Sequence, residues 1–192
     1  MQILVTGCAG FIGYHLVNKL SVSKFKIIGI DNINNYYDIE LKKNRIKKLK
    51  KNKKFLFYKV DLNNYKKIDA IIKKNKINYI IHLAAQAGVR HSIKNPKSYF
   101  KNNLEGFFNI LELSKSNKIK HLIFASTSSV YGDSIKFPTK EITNTDFPMS
   151  FYAATKKSNE VMAHSYSYIY KIPMTAVRFF TVYGPYGRPD MA

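Results

Sequence analysis

Short runs of β-branched and aromatic residues alternate along the chain with stretches whose apolar residues recur at helical spacing. Strands are predicted at residues 3–6, 26–30, 55–60, 79–83, 121–126 and 174–180, and helices between them at 11–20, 39–50, 64–74, 97–116 and 151–170. The strands read as continuous apolar runs, the pattern of a sheet covered by helices on both faces. Strand–helix alternation of this kind implies an α/β fold built on a doubly wound parallel sheet with right-handed crossovers. Residues 132–150 carry neither pattern, and a loop of that length in a compact domain is usually functional.

The 192 residues suffice for one domain with a sizeable core. The single cysteine, Cys8, excludes an internal disulfide and fits a reducing cytoplasm. No basic-then-apolar leader precedes the first strand, no apolar run reaches membrane-helix length, and no Cys or His spacing points to a metal. The balance of 32 Lys and Arg against 12 Asp and Glu gives a net charge of +20. That excess admits nucleic-acid or anionic-membrane binding, but Lys, Asn, Ile and Tyr are enriched together and the lysines are spread along the chain, as compositional drift produces. The denser run, 42–54, reads as the solvated face of a helix and its following turn. No nucleic-acid or membrane partner is therefore expected.

The chemistry begins where the first strand ends. Gly7, Gly10 and Gly13 are spaced GxxGxxG, with Phe11 and Ile12 opening a helix. One glycine permits the tight turn, one lets backbone approach a pyrophosphate, and one lets the helix pack on the strand; the helix N-terminus then offers free N–H groups to phosphate. Asp31 ends the second strand eighteen residues after Gly13, where an acid accepts hydrogen bonds from adenosine ribose hydroxyls. With Asn32 next to it and no Arg following, it would repel a 2′-phosphate, so NAD is expected over NADP. Asp61 and Leu62 follow the third strand, where adenine would lie, and Leu83, Ala84, Ala85 and Gln86 follow the fourth, where small residues would let the backbone pass close to the cofactor.

Tyr152 and Lys156, four apart on one helix face, come after a strand ending in Ser126-Thr127-Ser128-Ser129. A phenol of ordinary pKa is a poor base at neutral pH, and a nearby ammonium is expected to lower it, while the same Lys156 can bond the nicotinamide ribose of the cofactor. A hydroxyl at the strand end would orient a substrate alcohol. Together they would remove a proton while NAD takes the hydride.

These residues, in this order, resemble the extended short-chain dehydrogenase/reductase family over the whole chain. Alignment on Val130-Tyr131-Gly132 places that family's catalytic Ser/Thr on Thr127, with Ser128 the close alternative, and its nicotinamide-side Asn on Asn103. Ser126 and Phe179 join the implied cofactor set. Four stretches look most like UDP-glucuronate 4-epimerases: Asp31-Asn32-Ile33-Asn34-Asn35-Tyr36-Tyr37-Asp38, Ala84-Ala85-Gln86-Ala87-Gly88-Val89-Arg90, Tyr152-Ala153-Ala154-Thr155-Lys156-Lys157 and Arg178-Phe179-Phe180-Thr181-Val182-Tyr183-Gly184-Pro185. The match continues through Gly187-Arg188-Pro189-Asp190-Met191-Ala192, with Tyr186 where relatives usually show Trp. The resemblance implies inversion at C4 of UDP-glucuronate through a 4-keto intermediate, with Gln86, Arg90, Ser128, Ser129, Thr181 and Arg188 on the UDP-sugar. Thr181 and Arg188 would hold the carboxylate. It further implies a homodimer through the helices at 97–116 and 151–170, and a C-terminal sugar-nucleotide lobe that this chain lacks, leaving 1–192 as the NAD-binding domain with the catalytic helix. The rival readings are a UDP-glucose 4-epimerase, a decarboxylase making UDP-xylose, and an NAD-binding domain without turnover.

Overall fold

The computed structural model describes residues 1–134 and 138–189; the matched Asp190, Met191 and Ala192 lie outside the described residues. Six parallel strands, β1 (Gln2–Thr6), β2 (Lys26–Asp31), β3 (Phe55–Lys59), β4 (Tyr79–His82), β5 (His121–Thr127) and β6 (Met174–Phe179), form one sheet in the order β3-β2-β1-β4-β5-β6. This is the Rossmann-type doubly wound sheet expected from the strand–helix alternation. The order turns back between β1 and β4, where connections depart in opposite directions and open a crevice beyond the carboxyl ends of the strands.

Alternate residues of the strands feed two cores. Leu4, Ile28, Ile30, Ile80, Leu122 and Phe124 pack with Ile68 and Ile72 of α3 (Tyr65–Asn75) and with Phe107, Ile110 and Leu111 of a later helix. Ile3, Val5 and Ile27 pack on the opposite side with Tyr14 and Val17 of α1 (Phe11–Leu20) and Ile46 and Leu49 of α2 (Ile39–Leu49). On that second side no described helix covers β4–β6. Ile81, Ile123, Ala125 and Val177 are only partly buried there and, with Phe11, Ile12 and Leu16, border an apolar groove of about 580 Å³.

Between β4 and β5 the chain departs from the single helix predicted at 97–116. It forms α4 (Val89–Lys94), α5 (Pro96–Tyr99), a π-helical turn (Phe100–Glu105) and α6 (Gly106–Ser116). Asn95 caps α5, whose first residue is proline, the arrangement that starts a helix afresh. The wider π turn rotates Asn103 inward, and such turns gather at functional sites. The last helix, α7 (Phe151–Tyr170), begins at Ser150, whose hydroxyl accepts the Ala153 N–H at 3.1 Å. Among the described residues no helix is long and apolar enough to cross a membrane.

The first turn shows why glycine is required. A Cβ on Gly13 would lie 2.1 Å from the Gly7 carbonyl oxygen and 2.9 Å from the Cys8 Cα, both backbone, whereas one on Gly10 would meet only the Gly7 oxygen at 3.1 Å. Gly13→Ala is therefore expected to cost about 3 kcal/mol or more, because α1 must lift off β1. Gly10→Ala, at an ordinary φ of −70°, is expected to cost well under half of that. Urea unfolding of the two variants checks the ranking, and equal losses would refute it.

Candidate active site

A cleft of about 440 Å³ lies beyond the carboxyl ends of the strands. It brings together most residues singled out in the sequence: Gly7, Gly10, Phe11, Ile12 and Gly13; Asp31 and Asn32; Leu83, Ala84, Ala85 and Gln86; Ser126 to Ser129; Tyr152 and Lys156; and Phe179, Thr181 and Arg188. Four do not reach it. Arg90 is exposed on α4, away from the cleft lining. Asp61 stands behind the wall, where its carboxylate accepts from Asn32 Nδ2 at 2.8 Å. Leu62 is buried against Gly106, a contact close enough that a Cβ there would sit 3.1 Å away. Asn103 is buried and works through others. Its Oδ1 accepts the Gln86 N–H at 2.7 Å, and its Nδ2 donates to the Gln86 carbonyl at 3.0 Å and to Thr155 Oγ1 at 3.1 Å. It thus ties the loop after β4 to α7.

The floor of the cleft is set by hydrogen bonds between strand ends. Thr6 Oγ1 accepts the N–H groups of Leu83 and Ala84 at 3.2 and 3.1 Å and lies 2.8 Å from His82 Nδ1. Burial, with the Lys156 charge adding to it, pushes His82 down to about 3, so the ring is neutral and can accept the Thr6 proton. Gly7, at φ +71°, comes so close to this loop that a Cβ would meet Ala84 N at 2.7 Å. α1 then starts at Gly10, which provides no side-chain cap, so the N–H groups of its first turn remain open toward the cleft.

Asp31 Oδ2 accepts the Ala9 N–H at 3.1 Å and Oδ1 that of Ile33 at 2.8 Å. Burial raises its pKa, while these two bonds and the charges of Lys42 and Arg45 pull the other way. Both cations correct the reading of 42–54 as a solvated face. Lys42 is 5% exposed and Arg45 1%, while Lys43, Lys47 and Lys48 face solvent. Their heads find oxygens: Lys42 Nζ donates to the Asn34 carbonyl at 2.8 Å and to its Oδ1 at 2.5 Å, and lies 4.3 Å from the Tyr37 ring centre. A long cationic side chain can be buried when its charged end is satisfied in this way. Lys42 lines the cleft, as do Asn34, Tyr36, Tyr37 and Gly88, none of which was singled out from the sequence as a site residue.

The Ser150 cap places Tyr152 in the first turn of α7. Burial raises the Tyr152 phenol, and the Thr127 hydroxyl and the Arg188 charge oppose that rise. The sequence reading gave this role to Lys156. In the structure Lys156, 2% exposed, donates to the Ala125 carbonyl at 2.9 Å, and burial lowers its own pKa to about 8. Thr127 also accepts the Ser129 N–H at 3.2 Å, which turns its oxygen toward the loop. Ser126 is committed elsewhere: its hydroxyl donates to Glu160 Oε1 at 2.5 Å, and Glu160 holds Arg178 at 2.8 Å. Arg188 lies 5.6 Å from the Tyr36 ring centre, and Tyr99 sits edge-on to Tyr152 at 6.1 Å. The cleft thus has a phosphate-accepting end at α1, a carboxylate at β2, and an aromatic end where a phenol, two hydroxyls and an arginine converge.

The model of the family described as GDP-mannose 4,6 dehydratase matches residues 4–192. Protein CapI of Staphylococcus aureus is 52% identical over the whole chain, and a probable UDP-glucuronate 4-epimerase of Rhizobium meliloti is 49% identical. The chain spans 57% and 56% of their lengths. Among solved structures, the UDP-glucuronic acid 4-epimerase of Bacillus cereus, crystallised with UDP-glucuronic acid and NAD, superposes with a TM-score of 0.94 at 39% identity, covering all of this chain and 60% of that one. By sequence model and by architecture, the chain belongs to the GDP-mannose 4,6 dehydratase family and is a UDP-glucuronate 4-epimerase-like member of the extended short-chain dehydrogenases/reductases.

Proposed function

We propose that residues 1–192 form the cofactor-binding and catalytic domain of an NAD-dependent UDP-glucuronate 4-epimerase. The observation that carries this reading is the placement of Tyr152, Thr127 and Arg188 at one end of a cleft whose other end is the open first turn of α1. The residues fit a dinucleotide: the backbone at Gly7 admits close approach, α1 offers uncapped N–H groups to a pyrophosphate, and Asp31 borders the same wall. When bound, NAD supplies a reversible hydride acceptor. Tyr152 takes the proton of the sugar's C4 hydroxyl while Thr127, or Ser128 beside it, orients that hydroxyl. The C4 ketone would turn over in the site so that the hydride returns to the opposite face of C4, and Tyr152 would give its proton back to the C4 oxygen. A ketone β to a carboxylate is prone to lose carbon dioxide, and Thr181 and Arg188 would hold the carboxylate where that loss is slow, with Gln86 and Ser129 positioning the ring.

The relatives carry a longer chain, and the open groove over β4–β6 is an apolar surface that further polypeptide would cover. This supports a second reading, in which the domain alone holds NAD without turnover. Exposed Phe100 and Phe108, beside exposed Val161, Tyr168 and Ile169 of α7, support a homodimer through this pair of helical segments.

The test is mass spectrometry of the product from UDP-glucuronate, comparing this chain with one extended by a relative's C-terminal segment. The extended chain is expected to yield UDP-galacturonate, and the 192-residue chain to be slower by about a hundredfold or more, since remote contacts to the nucleotide position the reacting sugar. An extended chain that makes none would refute the assignment.

NAD is expected to bind more tightly than NADP, because Asp31 would oppose a 2′-phosphate. Asp31→Ser is expected to narrow the gap to about tenfold or less, since the buried Lys42 then meets the phosphate without a competing carboxylate. Calorimetry with both nucleotides checks this, and a wild-type preference for NADP would overturn the role of Asp31.

A further inference from the structure

Residues 181–188 leave the end of β6 and form a strap. Thr181 and Val182 line the cleft, and Arg188 returns to it. Between these points the strap passes along α1 to α2. Gly184 lies over the ring of Phe11, a cleft residue, and His15 donates from Nε2 to the Pro185 carbonyl at 2.7 Å. The Tyr186 ring meets that of Tyr14 at 5.6 Å, and its hydroxyl accepts from Lys48.

The centre of this arrangement is Arg45. Its Nη2 donates to the carbonyls of Tyr186 at 2.6 Å and Gly187 at 3.4 Å. Its Nη1 donates to the Ala9 carbonyl at 2.8 Å and to the Tyr37 hydroxyl at 2.6 Å. Ala9 belongs to the glycine turn, and its N–H is held by Asp31. One buried guanidinium therefore joins the glycine turn, an aromatic residue of the cleft wall and the strap. No carboxylate pairs with it among the described residues; Asp31 acts on it only through its field. A buried cation bonded to neutral oxygens adds little to stability for its desolvation. What its planar fork does well is fix several acceptors at once.

We infer that Arg45 is a positioning residue that latches the strap across α1, so that a dinucleotide on the glycine turn leaves only when the strap lifts. The inference rests on the proposed NAD site. Retention of this kind suits a reaction in which the cofactor ends each cycle in its starting state and need not exchange. The strap impedes entry as well as exit, so loosening it changes rates more than affinity.

The experiment loads the 192-residue chain with radiolabelled NAD and follows release into excess unlabelled NAD, for wild type, Arg45→Lys and Tyr186→Ala. Both variants are expected to release NAD about tenfold faster or more, as the loss of one or two strap bonds implies, with a smaller change in equilibrium affinity. Tyr186 is partly exposed, so its variant is expected to keep the unfolding midpoint of the cofactor-free chain, and it carries the test if Arg45→Lys folds poorly. A merely structural role would lower midpoint and affinity together without speeding uptake. Release within about twofold of wild type in Tyr186→Ala would overturn the latch while leaving the NAD site standing. A wild-type chain that takes up no NAD would overturn the proposed function, and the latch with it.

Discussion

Tyr152→Phe is expected to lower turnover of UDP-glucuronate by about a thousandfold or more, in a chain extended far enough to turn over, because one positioned acid–base group carries that much. The ring stays, with its edge contact to Tyr99 at 6.1 Å, so the fold is expected to hold. What goes is the phenolic oxygen proposed to take the C4 proton and give it back. The pH dependence gives a second signature. Burial holds the Tyr152 phenol above its ordinary value despite Thr127 and Arg188, so little phenolate exists at neutral pH. The wild-type rate is therefore expected to climb with pH through neutrality as that fraction grows, and the phenylalanine variant to lose the slope. Turnover within about tenfold of wild type, with the slope retained, would show that another group moves the proton.

The same residues show what a sequence can and cannot reveal. The helices starting at Phe11 and Phe151 end at Leu20 and Tyr170, where their helical pattern ends, although the fully buried positions of α7 stop at Ala163 and its last turn exposes Tyr168, Ile169 and Tyr170. The strands fall within a residue or so of their apolar runs because polar and turn residues bound those runs, and this holds even for β4–β6, whose second face no described helix covers. The stretch at 97–116 was legible as helical but not as broken, since the π turn depends on what Asn103 meets across the fold. Tertiary context, not local propensity, decides that conformation.

For the site, the glycine turn, Asp31 and the Tyr152–Lys156 pair were legible because their spacing has a mechanical reason. Lys42 and Arg45 were not. In a chain with 32 basic residues a buried cation looks like its neighbours, and only the carbonyls at Asn34, Ala9 and Tyr186 distinguish it. Arg90 and Asn103 lie beside stretches that border the cleft without lining it themselves: one faces solvent and the other hydrogen-bonds the backbone of Gln86.

Lys156→Met is expected to raise the stability of the cofactor-free chain by about 1–3 kcal/mol at pH 7, while weakening NAD binding and abolishing turnover. The ammonium is 2% exposed and donates to one carbonyl, that of Ala125, at 2.9 Å. Among the described residues no carboxylate pairs with it, and burial lowers it from 10.5 to about 8. The sign follows from proton counts. Between about pH 8 and 10.5 the unfolded chain binds more protons at this lysine than the folded one, so stability rises with pH across that window. Below pH 8 both states are charged and the folded chain bears the full penalty. Methionine fills the same space without charge, so the gain is expected to be largest below pH 8 and to fade toward pH 10.5. Urea unfolding of both proteins at pH 7 and pH 10 measures it. A variant less stable than wild type at pH 7, or a difference that does not shrink with pH, would mean that the Ala125 bond outweighs the buried charge. If the gain is found, the lysine is held against the fold's own preference, which is what a residue kept for the nicotinamide ribose and the Tyr152 proton would show.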